Sequence, residues 1–515
     1  MRFRRLAHVA AVIVIAAGFL GGIAASGHAN NETLTVSEMW EIDGVDAAKN
    51  GTFVKEKALI AETLVDAVAD FSLRPGLATT WKMTGDTLWQ FTLREGVRFH
   101  NGTPLTAEVV VSSLKRAMAI NPSIAKLTLI KDVRAMDDLT VEIETTTMSP
   151  ALPASLVYPD TAIIHPQSGK NEQGEVIFPI GTGPYMLAEW KQAEQKVLLT
   201  RFAEYWGEQP KIKHIQYRSI PDPSTRSLEI QKGSVDLAAE APYGDLDLLR
   251  KKGLDVTIAN TARVYFLNFG KLPGTIFADV RVRNALSRAI NRQEIVEYVL
   301  FGMGKPAAGA YEESMLFANK ELQPHPFDPG KAKQLFAEAG YSDSNGDGIL
   351  DKNGHKLATT LYTYPQRPGL KPMAIAIQQQ WQNVGVAVQV RVLDSAAIDR
   401  AMKPGDIRLS AMASAMIPGP DYFMRRLYSN GGDFNTWGYN NPEVESLLIQ
   451  GSKTVDQEER MALYRKIQAI VFEEMPVIPV SHYGVNVITQ RKIKGFVFNP
   501  VAHDYMLNTQ MSIEP

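Results

Sequence analysis

The stretch from Trp81 to Glu108 constrains the fold more than any other part of the sequence. It reads WKMTGDTLWQFTLREGVRFHNGTPLTAE, and its three apolar residues Trp89, Phe91 and Leu93 alternate with polar ones. This alternation predicts a half-buried β-strand, and the turn-forming residues on both sides of it predict a hairpin. Thr106 precedes a run of valines, at the position where an N-cap residue begins a helix. The stretch therefore predicts a hairpin followed by an α-helix.

The length of the chain predicts more than one lobe. The sequence has 515 residues, whereas a single hydrophobic core stops growing at about 250–300 residues. The composition is that of a globular protein, with 45% hydrophobic and 21% charged residues. A net charge of −2 gives no electrostatic reason to expect a nucleic-acid partner.

Residues 1–29 have the pattern of a signal peptide. Three arginines come before an apolar run from Val9 to Leu20, and Gly27 and Ala29 supply the small residues of a cleavage site. An uncleaved membrane anchor is the alternative, but the short apolar core and the small-residue tail favour a signal peptide. We therefore expect cleavage after Ala29 and export of the mature chain.

The sequence contains no cysteine. Disulfides, a thiol nucleophile and thiolate metal ligands are therefore excluded, and no cysteine follows the signal region to carry a lipid anchor. No later apolar run reaches the roughly 18 residues that a membrane-spanning helix needs. A soluble exported protein without an anchor is retained by an outer membrane, so we expect the periplasm as its location.

The order of residues from Trp81 to Glu108 resembles the signature of the extracellular solute-binding proteins that serve peptide and nickel ABC importers. The segment Pro179–Tyr185 (PIGTGPY) is also similar to that family, at the point where its chain crosses back into the larger lobe. No Lys-Ser or Lys-Thr follows its glycines, so it is not a phosphate-binding loop. The resemblance covers essentially the whole chain after the signal region. It implies an α/β, two-lobed periplasmic binding protein fold, type II-like, with an extra subdomain and a ligand cleft between the lobes.

The resemblance also predicts how the chain is divided. Lobe I is expected to consist of residues 30–68, 180–265 and 491–515. Residues 69–179 would form an extra subdomain attached to lobe I, and residues 266–490 would form lobe II. The lobes are expected to close over a ligand by a hinge motion.

The function implied by the resemblance is capture of a small solute and its delivery to an ABC permease in the inner membrane. The first hypothesis for the ligand is a metal chelate, with nickel foremost and no other cofactor. The second is a short peptide or an opine-like amino-acid derivative. A secreted hydrolase is an alternative of another class, but the sequence contains no HExxH or GxSxG motif. We therefore expect a monomeric binding protein that is not an enzyme.

The loop from Met416 to Tyr422 is the first candidate ligand-binding segment. Peptide-binding relatives carry an Asp-Pro-Asp-like loop whose acid pairs with the peptide amine. Here Gly419 stands in place of the first acid, whereas Asp421 is retained. Some nickel-binding relatives hold the chelate carboxylates with arginines, but residues 150–166, where one such arginine is expected, contain none. Both departures leave the ligand class open.

His503 is the candidate metal ligand, because it lies in the C-terminal segment that lines the cleft of nickel-binding relatives. Imidazole suits nickel, copper and zinc, although a lone histidine also occurs as a hydrogen-bonded structural residue. The other candidate ligand-binding residues are Trp40 at the end of the first predicted strand, Arg425 after the loop, and Asn435 and Trp437 in the NTWGYNN turn. A core position for Trp40 and a solvated helix face for Arg425 are the alternatives.

Three further patterns predict local structure. The apolar run from Ala58 to Val65 predicts a helix face, and Asp456 predicts the N-cap of a helix that ends near Glu474. The DSNGDGILD segment from Asp343 to Asp351 matches the first half of a calcium loop. Position twelve is Gly354 rather than the bidentate glutamate, which favours a solvated turn.

Overall fold

We describe a computed structural model of the chain that covers residues 32–501 and 503–514. The predicted signal peptide, residues 1–29, lies outside the described residues. The α-helices are α1 Ala47–Gly51, α2 Ala107–Ile120, α3 Pro122–Thr128, α4 Leu152–Ser155, α5 Pro223–Lys232, α6 Leu246–Lys251, α7 Val280–Arg288, α8 Arg292–Glu294, α9 Pro329–Glu338, α10 Leu370–Gln382, α11 Ser395–Ala401, α12 Asp421–Tyr428, α13 Pro442–Lys453 and α14 Gln457–Glu474.

The strands are β1 Thr33–Glu38, β2 Val65–Ala67, β3 Leu73–Pro75, β4 Ala78–Gly85, β5 Leu88–Leu93, β6 Ile130–Ala135, β7 Thr140–Thr145, β8 Gly169–Lys170, β9 Val176–Phe178, β10 Tyr185–Lys191, β11 Lys196–Arg201, β12 His214–Ser219, β13 Leu237–Ala239, β14 Asp255–Phe269, β15 Lys305–Pro306, β16 Asp351–Lys352, β17 His355–Lys356, β18 Ala358–Thr363, β19 Ala387–Val392, β20 Ile407–Ala413, β21 Val477–Thr489, β22 Ile493–Lys494 and β23 Ser512–Ile513.

One large mixed sheet runs through both lobes, in the order β10-β11-β12-β1-β13-β21-β14-β20-β18-β19. The long strands β14 and β21 lie at its centre and pair with each other in antiparallel fashion. Their register shifts between Asn260 and Val264. On one side of this shift β21 pairs with β13 of lobe I, and on the other side β14 pairs with β20 of lobe II. These two strands therefore connect the lobes through continuous backbone.

Separate apolar clusters fill the three predicted parts of the chain. The largest is built mainly from residues of lobe II and includes the buried Trp381. A second one, in lobe I, includes Leu34, Val36 and Tyr217. A third one lies mainly in the extra subdomain and contains Phe91. The division into these residue ranges stays a prediction.

The Trp81–Glu108 stretch forms the hairpin and helix that its sequence predicts. Strand β5 lies between β4 and β7 in a four-stranded antiparallel sheet, and the alternating residues Trp89, Phe91 and Leu93 are all buried. The Thr106 side chain accepts a hydrogen bond from the Val109 N–H and caps helix α2. Asp456 caps α14 in the same way. Local sequence chemistry is therefore sufficient for these elements.

The helix predicted for Ala58–Val65 is wrong. A π-helical turn ends at Lys57, and the residues that follow are extended or irregular. The carbonyl of Ile60 accepts the Gly183 N–H at 3.0 Å, so the PIGTGPY crossover uses backbone groups that a helix would need. A Cβ on Gly181 would lie 2.0 Å from the Ile60 oxygen. The two backbone segments approach so closely that position 181 requires glycine.

The calcium-like segment forms a turn that its own side chains hold. The Asp343 carboxylate accepts backbone N–H groups of Gly346, Asp347 and Gly348. The Lys356 ammonium contacts the Asp347 carboxylate at 2.5 Å. The described part of the chain contains no group of three or more His, Asp or Glu side chains that could hold a metal ion.

Asp160 attaches the extra subdomain to lobe I. Its carboxylate accepts the Gly51 N–H at 3.1 Å and the Asn121 amide N–H at 3.1 Å. Burial raises its pKa to about 7, and among the described residues no Lys or Arg pairs with the charged form.

We expect the Asp160 carboxyl to make folding depend on pH. Its pKa is raised in the folded state, so the protonated carboxyl stabilises the folded protein. This contribution to the free energy of unfolding is complete below the unfolded pKa of about 3.9 and is lost as the pH rises through about 7. The slope should be at most about 1.4 kcal/mol per pH unit between these values. Urea unfolding of wild type and Asp160→Asn from pH 5 to pH 8 should show a steeper slope in wild type. The difference between the two curves is the measure of Asp160, because burial also raises the pKa values of Glu56 and Glu62 to about 7 and these two groups contribute equally to both proteins. Parallel curves would contradict the assignment.

Candidate binding cleft

A cavity of about 730 Å³ lies between lobe I and lobe II. Lobe I supplies residues from Glu38 to Lys57 and the pair His503 and Asp504. Lobe II supplies Gln366 and the start of helix α11, residues 394–396. A volume of this size suits a small organic molecule. We refer to this cavity as the cleft.

Asp504 is the centre of a buried ionic network at the cleft wall. Its Oδ1 atom contacts Arg367 Nη2 at 2.7 Å and Arg263 Nη2 at 3.1 Å. Its Oδ2 atom contacts Lys57 Nζ at 3.3 Å and accepts the indole N–H of Trp40 at 3.1 Å. Arg367 belongs to lobe II, whereas Asp504 and Lys57 belong to lobe I. This carboxylate therefore joins the two lobes.

Each cation around Asp504 has at least one carboxylate partner. Burial alone would raise the pKa of Asp504, but Arg367, Lys57 and Arg263 hold it well below its usual range. Lys57 also contacts Glu38 at 2.8 Å. Arg367 also contacts Glu240 at 3.3 Å. The network is therefore a buried, preorganised part of the cleft wall.

His503 is fixed through its backbone, and its ring lies at the cleft. Its N–H donates to Glu56 Oε2 at 2.8 Å, and its carbonyl accepts Arg263 Nε at 2.7 Å. The ring is half-buried, with Nδ1 2.9 Å from the Met416 sulfur of lobe II. Burial and the nearby Arg263 lower the pKa of His503 well below 6.5. The imidazole is therefore neutral at physiological pH and can bind a metal.

Helix α12 carries three of the candidate residues. The Asp421 carboxylate accepts the Tyr464 hydroxyl and contacts Arg425 at 3.2 Å. Arg425 also donates to the Leu127 carbonyl of the extra subdomain at 3.3 Å. The Tyr422 ring lies 6.2 Å from the ring of Tyr158 in the same subdomain. This helix therefore contacts the extra subdomain.

Asn435 and Trp437 lie in a turn of lobe II. The Asn435 amide donates to the carbonyls of Ser429 and Tyr439 and accepts the Tyr439 N–H. Trp437 is 2% exposed and belongs to the lobe II core. The structure thus places Trp40 and His503 at the cleft, where Trp40 contacts Asp504 and Met416 contacts the His503 ring. It places Asp421, Tyr422 and Arg425 on α12, and it uses Asn435 within its own turn.

Sequence reasoning missed the ionic network. Glu38, Lys57, Arg263 and Arg367 were not candidates, although each is at most 4% exposed and contacts the cleft wall or supports it. One local signal existed, because Arg263 begins a mostly apolar strand segment, RVYFLNF. The other contacts join residues more than one hundred positions apart, apart from the Lys57–Glu38 pair.

The fold and the cleft define a two-lobed solute-binding protein of the periplasmic type. The family description "Bacterial extracellular solute-binding proteins, family 5 Middle" matches residues 72–435. The chain belongs to this family. It is 30% identical over 450 residues to the glutathione-binding protein GsiB of Salmonella typhimurium strain LT2, covering 84% of this chain and 85% of that protein.

Solved structures of nickel and peptide binders share the fold. NikA from Staphylococcus aureus in complex with Ni(L-His)2 is 24% identical, with a TM-score of 0.83 over 94% of this chain and 100% of NikA. The nickel ABC transporter protein of Bacillus halodurans is 26% identical, with a TM-score of 0.73 and the same coverage. The oligopeptide-binding protein AppA of Bacillus subtilis, solved with a nonapeptide, is 22% identical with a TM-score of 0.80 over 94% of this chain and 99% of AppA.

Family membership establishes the role of the protein. It is a substrate-binding component of an ABC importer and acts in the periplasm. Members of the family bind small ligands and work with ABC transporter permeases. Among the described residues, no helix combines the length and the apolar character needed to cross a membrane.

Proposed function

We propose that the cleft binds a nickel chelate of a small amino acid and that His503 supplies the protein's ligand to the metal. The protein then acts as a monomer, without catalysis and without a nucleic-acid partner, and nickel is cargo rather than a resident cofactor. The observation that carries the proposal is the half-buried, neutral His503 ring at the cleft, 2.9 Å from the Met416 sulfur.

The chemistry of this wall supports a metal chelate. A neutral imidazole is a good ligand for nickel, and because the ring is already neutral at pH 7, no imidazolium has to lose a proton before the metal binds. The His503 backbone is held at both ends by Glu56 and Arg263, so the ring is positioned before a ligand arrives. Asp421, the acid retained where relatives bind a peptide amine, already contacts Tyr464 and Arg425. An amine would have to compete with both partners.

A short peptide of the glutathione type is the second candidate ligand. The specific observation in its favour is the 30% identity to a glutathione-binding protein over 84% of this chain. Trp40 at the cleft supplies an aromatic surface for such a ligand, and its ring lies 5.6 Å from the Arg367 guanidinium. An opine-like amino-acid derivative would use the same polar groups.

Calorimetric titration with separate ligands decides between these candidates. We expect nickel with L-histidine to bind, and nickel alone, reduced glutathione and free L-histidine to bind at least about tenfold more weakly. A true ligand at about one hundred times its dissociation constant should also raise the free energy of unfolding by about 2.7 kcal/mol. Tight binding of glutathione without metal would move the assignment to the peptide class. If glutathione is hydrolysed and this activity co-purifies with the protein, the role without catalysis is contradicted.

A further inference from the structure

A second cavity, of about 510 Å³, lies within lobe II and shares no lining residue with the cleft. Strand β15, the segment from Asn319 to Phe327, Gln468 of α14 and His482 of β21 contribute to its walls. Its volume is within the range of small-molecule sites. We refer to it as the lobe II cavity. Neither the proposed nickel chelate nor the ionic network at Asp504 involves it.

Arg292 gives the lobe II cavity a buried positive charge. Its side chain is 4% exposed. It donates to the Pro479 and Ser287 carbonyls at 2.9 Å each, to the Ser287 hydroxyl at 2.8 Å and to the His325 carbonyl at 3.5 Å, and all of these acceptors are neutral. Within the described residues it has no carboxylate partner. Buried charges in proteins are normally paired, so an anion in this cavity would supply the missing counter-charge.

The other charged groups of the lining leave this positive charge uncompensated. Lys305 contacts Glu312 at 2.8 Å and Glu313 at 3.6 Å, so these carboxylates are already engaged. Lys320 is exposed at the cavity. The lining therefore holds three cationic side chains against two carboxylates.

Two buried imidazoles add hydrogen-bonding capacity. Burial lowers the pKa values of His325 and His482 to about 4, so both rings are neutral. The Ser287 hydroxyl accepts from Arg292 and lies 3.2 Å from His325 Nδ1. It can therefore donate to that nitrogen, which favours the tautomer with the proton on Nε2. The His482 ring forms no hydrogen bond within residues 32–501 and 503–514.

Apolar side chains complete the walls of the lobe II cavity. They include Pro306, Tyr311, Leu322, Pro324, Pro326 and Phe327. Phe327 is 46% exposed although it lines a concave surface. Such a wall accommodates the hydrocarbon or aromatic part of a ligand, so it favours an organic anion over an inorganic one.

We propose that the lobe II cavity is a second binding site, specific for a small organic anion. The carboxylate or phosphate of the ligand interacts with the unpaired charge of Arg292 and with the histidine rings, and the organic body packs on the apolar wall. His482 lies on β21, the strand that both lobes share, so the ligand would lie beside a residue of the strand that connects the lobes.

The test fills the lobe II cavity without disturbing its charged residues. Gly309 lines the cavity, and a Cβ placed on it would meet nothing within 4 Å, so Gly309→Leu adds a bulky side chain at the cavity wall. Gly405→Leu is the matched control, because its Cβ also meets nothing within 4 Å and Gly405 lines no part of this cavity. Both glycines lack a positive φ angle. Benzoate, phenyl phosphate and the uncharged benzyl alcohol are the probes, and binding is measured by calorimetry.

We expect benzoate or phenyl phosphate to bind wild type and Gly405→Leu, and to bind Gly309→Leu at least about tenfold more weakly. The ratio between the two anions identifies the preferred head group. Benzyl alcohol should bind about tenfold more weakly than its charged analogues. Absence of anion binding to wild type, equal binding to Gly309→Leu, or equal binding of benzyl alcohol would each overturn the proposal. Nickel-histidine binding should be the same in all three proteins, so failure of the cleft assignment is recognised separately.

Discussion

Replacing Asp504 by alanine should lower the free energy of unfolding by about 3–5 kcal/mol, the usual cost of breaking a buried ion pair from one side. Of its three cations, Lys57 keeps Glu38 and Arg367 keeps Glu240. Within the described residues Arg263 keeps only neutral acceptors, such as the His503 carbonyl, and would carry a buried uncompensated charge. Denaturant unfolding at pH 7, monitored by circular dichroism, measures the loss.

The control for this prediction is a surface ion pair. Asp247 contacts Arg250 at 2.9 Å, but its side chain is 85% exposed. Asp247→Ala should therefore change stability by less than about 1 kcal/mol. If Asp504→Ala fails to fold, Asp504→Asn retains the shape and an acceptor oxygen and should show an intermediate loss. A loss below about 1 kcal/mol for Asp504→Ala would show that the network does not stabilise the fold.

A double-mutant cycle identifies the cation responsible for the loss. Removing the Arg263 charge, as in Arg263→Met, should offset part of the effect of Asp504→Ala, because the uncompensated cation is then absent. The same combination with Lys57 or Arg367 should give less compensation, since these cations retain a carboxylate partner.

The elements that the sequence predicts correctly depend on neighbouring residues. The period of two in Trp89, Phe91 and Leu93 places all three in one core, and Thr106 and Asp456 cap the helices that follow them. The helix predicted for Ala58–Val65 was wrong because a distant glycine crossover takes the carbonyl of Ile60. A pattern within one segment does not record such competition for backbone groups.

The candidate site shows the same limit. Resemblance to the family led to Met416 and His503, and the end of a predicted strand led to Trp40. In the structure Trp40 contacts Asp504, and Met416 contacts the neighbouring His503. Neither signal led to Lys57 or Arg367, because the sequence separates these residues from Asp504 by 447 and 137 positions. A buried charge alone is costly, because charged residues normally lie at the surface. These positions could therefore be predicted as buried only if their partners, which are distant in sequence, were known.

The largest effect on binding should come from His503→Ala. If the imidazole is the nickel ligand, its loss should weaken binding of nickel-histidine by more than the 10- to 100-fold that is typical for loss of an outer-shell partner. The backbone contacts to Glu56 and Arg263 do not need the ring, so we expect the unfolding free energy to change by only about 1 kcal/mol or less. Titration calorimetry and denaturant unfolding on the same preparations separate binding from stability.

Two variants sharpen the interpretation of the His503 result. Met416→Leu removes the sulfur that lies 2.9 Å from His503 Nδ1 and keeps a similar apolar volume. A parallel loss of nickel affinity in this variant would make the thioether a second ligand, whereas unchanged affinity would leave the imidazole as the one required group of the pair. Asn435→Ala should instead lower stability, because its amide holds a turn of lobe II. Equal nickel-histidine affinity in wild type and His503→Ala would remove His503 from the site, whereas absence of nickel-histidine binding in both proteins would favour the glutathione-type ligand.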